Sequence, residues 1–135
     1  MKSRACNTII ILVLTIIAIC SCKKDDTSQA IIYTRTDYIG SWNGTQVTTS
    51  NNQTFICVIT ADSSISTNIN MNNFANITGT TYGVVTAANV TIPRQTVSSV
   101  IIGGYGSMQN TSYITWHYYI NNGTDSTVYT ASFTK

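Results

Sequence analysis

From residue 42 onward, short runs of alternating or β-branched residues are separated by clusters of Asn, Gly and Ser. A period of two is typical of half-buried strands, and the clusters between the runs are typical of turns. No stretch has the sustained period of a helix. The pattern predicts an antiparallel, all-β domain with about eight short strands, at residues 42–49, 54–60, 68–72, 82–86, 89–92, 97–102, 113–120 and 127–134.

The last two of these runs form the clearest hairpin. Asn121-Asn122-Gly123-Thr124 lies between them, and Asn and Gly tolerate the positive φ angles of a tight turn. Because side chains alternate across a strand, each run has one mostly apolar face. We expect these faces to point into the core: Ile114, Trp116, Tyr118 and Ile120 before the turn, and Tyr129, Ala131 and Phe133 after it.

A glycine-rich segment bears on how the sheet is shaped. Gly103, Gly104 and Gly106 surround Tyr105 and predict a bulge or a sharp bend. Pro93 ends the run at 89–92, where the loss of a backbone donor costs little. Bends of this kind let a sheet curl on itself, so the sequence favours a lipocalin-like barrel, with a β-sandwich as the alternative.

Charged side chains are scarce, at 9% of the 135 residues, against roughly 25% in an average soluble domain. The length fits a single domain. Beyond Asp26 there are three charges of each sign, at Arg35, Asp37, Asp62, Arg94, Asp125 and Lys135. Without a cluster of Lys and Arg the domain lacks a surface for a phosphate backbone, so we expect no nucleic-acid partner.

The N-terminus has the layout of a secretory signal. Two cations, Lys2 and Arg4, precede an uncharged stretch whose apolar centre covers residues 9–19. Such a centre is short for a transmembrane helix, which needs about 20 apolar residues. We therefore expect residues 1–21 to be removed as a signal peptide.

The end of this stretch, Ile19-Cys20-Ser21-Cys22, resembles the lipobox of bacterial lipoproteins. The resemblance implies cleavage before Cys22 and acylation of its thiol, which anchors a chain to a membrane without spanning it. Residues 22–37 then form a tether. Its start looks like the export tag that takes some Gram-negative lipoproteins to the surface of the outer membrane, the alternative being a merely polar tether on the periplasmic face. The residues of this tag are Lys23, Lys24, Asp25 and Asp26.

Candidate catalytic and metal-binding groups are few. The β domain, residues 38–135, contains one His, His117, one Cys, Cys57, and no Glu. Acid–base catalysis needs convergent titratable groups, and a zinc site needs several His or Cys ligands. Cys57 has no disulfide partner in the mature chain and is expected to be a small buried residue. We expect neither an enzyme nor a bound cofactor or metal ion.

Five short motifs are spread over the β domain: Tyr38-Ile39-Gly40-Ser41-Trp42, Asn73-Phe74, Val90-Thr91-Ile92-Pro93-Arg94-Gln95, Ile102-Gly103-Gly104-Tyr105-Gly106 and Ile114-Thr115-Trp116-His117-Tyr118. Together they resemble small surface lipoproteins of Gram-negative bacteria with lipocalin-like barrels. The resemblance implies that Trp42 closes one end of a barrel. In lipocalins that Trp packs against an Arg from a late strand, whereas no Arg follows Arg94 here.

Six aromatic residues are candidates for the interior of such a barrel: Trp42, Tyr82, Tyr105, Trp116, Tyr118 and Tyr129. They either fill the interior or line a cavity, since an eight-stranded barrel can be packed solid or can hold one small ligand. A cavity predicts a protein that binds a small apolar or amphipathic ligand. The alternative is a cell-envelope interaction module that contacts protein or glycan through its outer strand faces. The sequence predicts no particular oligomeric state.

The acylated residue can be identified by growing cells with a palmitate analogue and measuring the label on the purified protein. We expect Cys22→Ala to lose the label, because the thiol that accepts the lipid is gone, and Cys20→Ala to keep it. Label that survives Cys22→Ala and disappears with Cys20→Ala would contradict the assignment.

Overall fold

The computed structural model describes residues 31–48 and 51–135. One turn of helix, α1 (Arg35–Tyr38), precedes the strands β1 (Gly40–Val47), β2 (Asn52–Ala61), β3 (Asn68–Asn72), β4 (Thr80–Thr86), β5 (Asn89–Val97), β6 (Val100–Asn110), β7 (Tyr113–Asn121) and β8 (Ser126–Thr134), and a 3-10 turn (Phe74–Asn76) lies between β3 and β4. No helix in this part of the chain is both long and apolar enough to cross a bilayer. The expected signal peptide, Cys22 and the export tag lie outside the described residues.

Each strand pairs antiparallel with the next, and β8 pairs with β1, so that the sheet closes into a barrel. The predicted all-β class and the barrel are therefore confirmed, in preference to the sandwich. The turn between β7 and β8 also lies where the sequence predicts it. Gly123 has a φ of 95°, and the side-chain oxygen of Asn122 accepts hydrogen bonds from the backbone N–H groups of Thr124 and Asp125.

The prediction of a separate strand at residues 97–102 is wrong. β5 continues to Val97, Ser98 and Ser99 make a tight turn, and β6 begins at Val100. Ser98 adopts a φ of 54°, a conformation that Gly or Asn usually supplies, so the pair Ser98-Ser99 gave only a weak turn signal. The glycine-rich segment that predicted a bend lies inside β6.

Pro93 lies within β5, at an irregularity in the pairing with β6 between Ile92 and Gln95. The backbone pairing of β4 and β5 ends at Val84 and Thr91, and the same register continued would bring this proline, which has no N–H, opposite Tyr82. The side chain of Gln95 bonds to Tyr82 instead. Its Oε1 accepts from the backbone N–H (2.9 Å) and its Nε2 donates to the carbonyl (2.8 Å), so the sheet continues across the proline.

The glycines of β6 make room for the large rings of β7. Gly106 pairs with Trp116, and a Cβ at this position would lie much closer to Cε3 of the indole ring than van der Waals contact allows. On the outer face, the ring of Tyr119 covers Gly103, with Cε1 2.9 Å from the point that a Cβ would occupy. Close packing of ring on backbone therefore explains these glycines.

The segment before β1 closes one end of the barrel. Tyr38 is fully buried, and Nε1 of Trp42 donates to its carbonyl oxygen at 2.8 Å. The guanidinium of Arg35 donates to three carbonyls in residues 62–68, next to the connection between β2 and β3. Residues 33–37, which the sequence analysis assigns to the tether, are thus packed on the barrel.

Local hydrogen bonds explain why α1 begins where it does. A carboxylate oxygen of Asp37 accepts from the backbone N–H (2.7 Å) and the hydroxyl (3.0 Å) of Thr34, as in a capping box. The backbone hydrogen bond lowers the pKa of the Asp37 carboxyl below its ordinary value.

Lys135, one residue beyond β8, supplies the cation for which the sequence offered no Arg. Its Nζ lies 4.2 Å from the centroid of the Trp42 ring. The same atom donates to the carbonyls of Ile39 (3.0 Å) and Asp37 (3.3 Å). A cation is attracted by the negative face of an aromatic ring, so these contacts tie the C-terminus to the segment before β1.

We expect Lys135→Met to lower the free energy of unfolding by about 1 kcal/mol, because it removes the cation and its hydrogen bonds but keeps the apolar stem. Lys135→Arg keeps the cation and should lose less. Urea denaturation followed by tryptophan fluorescence measures both variants. An equal loss in the two would contradict a role for the charge.

Candidate functional site

The interior of the barrel is filled by side chains. Inward-facing residues of all the strands form one apolar cluster, to which α1 and the 3-10 turn add Tyr38 and Phe74. Of the two possibilities for the interior aromatic residues, the structure shows filling. A ligand inside this barrel must therefore take the place of a side chain.

Phe74 enters the interior from a turn, whereas most of the core comes from strands. The connection between β3 and β4 that carries it lies at the strand ends opposite α1. Phe74 is fully buried, and its ring centroid lies 5.0 Å from those of Trp116 and Tyr118 and 5.6 Å from that of Phe133. We call Phe74 the plug, and the three rings around it (Trp116, Tyr118 and Phe133) the socket.

The turn that carries the plug is strained. Asn73, Ala75 and Asn76 have φ angles of 61°, 57° and 57°. Asn tolerates this left-handed region, whereas Ala rarely adopts it, and a residue such as Ala75 held there costs on the order of 1–3 kcal/mol. The burial of Phe74 and a 2.9 Å hydrogen bond from the side-chain nitrogen of Asn73 to the carbonyl of Ile56 offset this cost.

Polar side chains interrupt the apolar interior. The hydroxyl of Tyr118 donates to Oε1 of the buried Gln46, and burial raises the pKa of Tyr118 well above its ordinary value. Nε1 of Trp116 and Oγ1 of Thr81 are buried and have no hydrogen-bond partner among the residues described. An unpaired buried donor costs about 1–3 kcal/mol. These atoms are therefore suited to bind a ligand.

The six aromatic residues proposed for the interior divide into two groups. Trp42, Trp116 and Tyr118 are buried inside, and Tyr129 is partly buried with its ring stacked on Tyr118 at a centroid distance of 5.6 Å. The other two lie on the outer face, where Tyr82 is 38% and Tyr105 57% exposed. The expectation that these two face inward is wrong.

Glycine explains the error for the two tyrosines. The residues of β6 that alternate with Tyr105 are Gly104 and Gly106, and those of β4 that alternate with Tyr82 are Thr81 and Gly83. Because glycine has no side chain, Tyr105 and Tyr82 are the only large side chains in these short stretches, although they lie on the outer face. A prediction that assigns aromatic residues to the interior therefore chooses the outer face of these strands by mistake.

Gln46, Phe74 and Thr81 belong to the site but are not among the predicted residues. Gln46 shares the alternation of Trp42 and Gly44 in β1, so the period of two could have placed it inside. Phe74 stands alone in a polar stretch without periodicity. Nothing in the sequence marks a turn that folds inward.

A second candidate lies on the outer face of β6, β7 and β8. The ring of Tyr105 stacks on His117 with centroids 5.3 Å apart, and Val128, paired with Tyr119, is 76% exposed. These residues border a depression of about 270 Å³ with Gly103 on its floor. We call Tyr105, His117, Tyr119 and Val128 the outer patch.

The titratable groups are dispersed. Within residues 31–48 and 51–135, no three His, Cys, Asp or Glu side chains come together as metal ligands. Cys57 is buried in β2, and burial raises the pKa of its thiol to about 12. The groups that the structure does bring together, the socket and its polar atoms, are suited to binding.

No family model, curated protein or solved structure shows significant similarity to this chain.

We expect Cys57 to react with a thiol reagent about a thousandfold more slowly in the folded than in the denatured protein, because its raised pKa leaves little thiolate. The rate is measured at mildly alkaline pH in a variant with Ser at Cys6, Cys20 and Cys22, with and without guanidinium chloride. Equal rates in the two states would contradict the burial of the thiol.

Proposed function

We propose that this chain is a non-catalytic outer-membrane lipoprotein, anchored through Cys22, whose barrel binds a small apolar or amphipathic ligand in its interior. The observation that carries the proposal is Nε1 of Trp116, a donor in the wall of the socket that is buried without a partner in the described chain; Oγ1 of Thr81 in β4 is a second such atom. Buried polar groups that serve stability alone are normally hydrogen-bonded.

The composition of the interior supports a ligand of this kind. Binding sites for small molecules are mostly apolar and aromatic, with a few polar groups that fix orientation. The socket supplies the aromatic walls, and the hydrogen-bonded pair of Gln46 and Tyr118 supplies polar groups beside it. A barrel of eight strands has room for one small ligand once a side chain moves.

The proposed anchor fits a ligand that partitions into membranes. Residues 23–30 separate Cys22 from Ile31, the first described residue. Even a fully extended chain of this length spans at most about 30 Å. The barrel would therefore stay close to the lipid surface, where apolar and amphipathic molecules are concentrated.

A second candidate function is contact with another envelope component through the outer patch. The stacked pair of Tyr105 and His117 and the exposed Val128 favour it. Exposed apolar surface that is contiguous often marks an interaction site. This function requires no movement of the core.

Titration with N-phenylnaphthylamine, a neutral probe whose fluorescence rises in apolar surroundings, tests which function applies. The parent protein for this test begins at residue 22 and carries the substitution Cys22→Ser. We expect it to bind the probe saturably. Affinity should stay within about twofold of this parent in Tyr105→Ser and Val128→Ser, because exposed residues of the outer patch are not the site.

Loss of probe binding in Tyr105→Ser or Val128→Ser would show that the probe binds at the outer patch, and would favour the second candidate function. Absence of saturable binding to the parent chain, with far-ultraviolet circular dichroism showing that it is folded, would overturn interior binding.

A further inference from the structure

We infer that the ligand occupies the space of the Phe74 ring, and that it combines a flat, unsaturated, uncharged body with a hydrogen-bond acceptor for Nε1 of Trp116. This inference rests on the proposed function and names the chemistry of its ligand. The plug then occupies the binding site when no ligand is present, and the ligand displaces it.

The plug can leave without breaking the sheet. Phe74 lies outside the strand ladders, and the backbone hydrogen bond to its carbonyl comes from Ile77 within the same connection. Moving the turn also releases Ala75 from its left-handed conformation. Relief of this strain lowers the cost of exposing one phenyl ring.

The walls of the socket select for a flat ring. The planes of Trp116 and Tyr118 meet that of Phe74 at 73° and 61°, with both centroids 5.0 Å away. Such edge-to-face contacts depend on the electron distribution of a π-system and on its flatness. A planar unsaturated ring reproduces them, whereas a branched aliphatic body does not.

The indole of Trp116 adds the requirement for an acceptor. Its Cε3 and Cζ3 atoms lie against Gly106, so Nε1, on the opposite edge of the indole, points away from β6. Nε1 is a donor only, and it is buried without a partner in the described residues. A ligand that takes the place of Phe74 and puts an acceptor in the plane of this indole, beside Nε1, gains a hydrogen bond that Phe74 cannot make.

The acceptor is expected to be neutral. The charged side chains of residues 31–135 all lie outside the buried core. A carboxylate in the socket would thus have no counter-ion, and an unpaired buried charge is far more costly than a buried carbonyl, ether or ring nitrogen. Quinoline, which carries a ring nitrogen, and naphthalene, which has the same shape without it, form a matched pair of probes.

The test uses the full-length chain in dodecyl maltoside micelles at neutral pH, with free probe concentrations measured after dialysis. The two indole N–H signals are followed by NMR. We expect quinoline to move the Trp116 signal downfield, because a hydrogen bond forms, and naphthalene not to do so. The Trp42 signal should stay unchanged, since its N–H is already bonded to Tyr38.

Phe74→Ala empties the socket and should raise the affinity for quinoline about tenfold, because the probe no longer competes with a buried ring. Phe74→Leu, which keeps an apolar plug and is safer for folding, should give a smaller gain. Met108→Ala is the control, because it deletes a buried side chain of β6 that does not belong to the plug or the socket, and it should leave the affinity as in wild type.

The inference is overturned if quinoline leaves the Trp116 signal unchanged in both Phe74 variants while dispersed amide signals show that they are folded. It is also overturned if the Phe74 variants gain no affinity over Met108→Ala. When N-phenylnaphthylamine still binds the parent chain in these cases, only the inferred ligand chemistry and the displacement of the plug are contradicted. When that probe does not bind either, the proposed function fails as well.

Discussion

The pairing of β8 with β1, from Asn43 opposite Thr134 to Val47 opposite Thr130, leaves the sheet without a free edge. Free edges are templates for aggregation, and proteins often protect them with charged side chains. This chain has few charges to use, since only Arg35, Arg94 and Lys135 are basic beyond residue 26. Closure removes the need for them, which explains how a surface rich in Thr and Asn is compatible with a sheet of eight strands.

Closure also fixes the space that the core has to fill. Where large rings point inward, neighbouring strands make room with glycine: a Cβ at Gly44 would lie 2.7 Å from the ring of Phe55 and 3.0 Å from that of Phe133. The strands do not complete the core by themselves, because Phe74 comes from a turn. Part of the core, Phe74 included, is thus not held by the hydrogen-bonded ladders.

The sequence predicted the fold well where strands alternate cleanly. The hairpin of β7 and β8 and its inward residues Trp116, Tyr118 and Phe133 follow from the period of two and from the Asn-Gly turn. The prediction of which residues face inward failed where glycines obscure the alternation of side chains, as in β6. β5 was predicted to end before Pro93, because a proline lacks the N–H that strand pairing needs. The sequence does not reveal that the side chain of Gln95 makes hydrogen bonds to the neighbouring strand at this point.

The candidate site was less predictable than the fold, because its decisive contacts join distant parts of the chain. Trp116 and Tyr118 follow from alternation, and Gln46 could have done so. Phe74 could not, since Asn73 and Asn76 indicate a turn but do not indicate that the ring between them packs into the socket. Likewise, the ammonium group of Lys135 reaches the ring of Trp42 only in the closed barrel.

The two ends of the barrel are closed in different ways, and the two tryptophans show the difference. At the α1 end, Trp42 donates its N–H to Tyr38 and carries the Lys135 cation over its ring. Trp116, equally buried and packed against the plug, has an N–H without a partner in the described chain. Because both donors belong to the same residue type in the same barrel, packing alone does not explain the contrast. The contacts of Trp42 hold the α1 segment on the barrel, whereas Phe74 comes from a turn outside the strand ladders and packs beside the unsatisfied donor of Trp116, so the plug is the part of the core that can move at the lower cost.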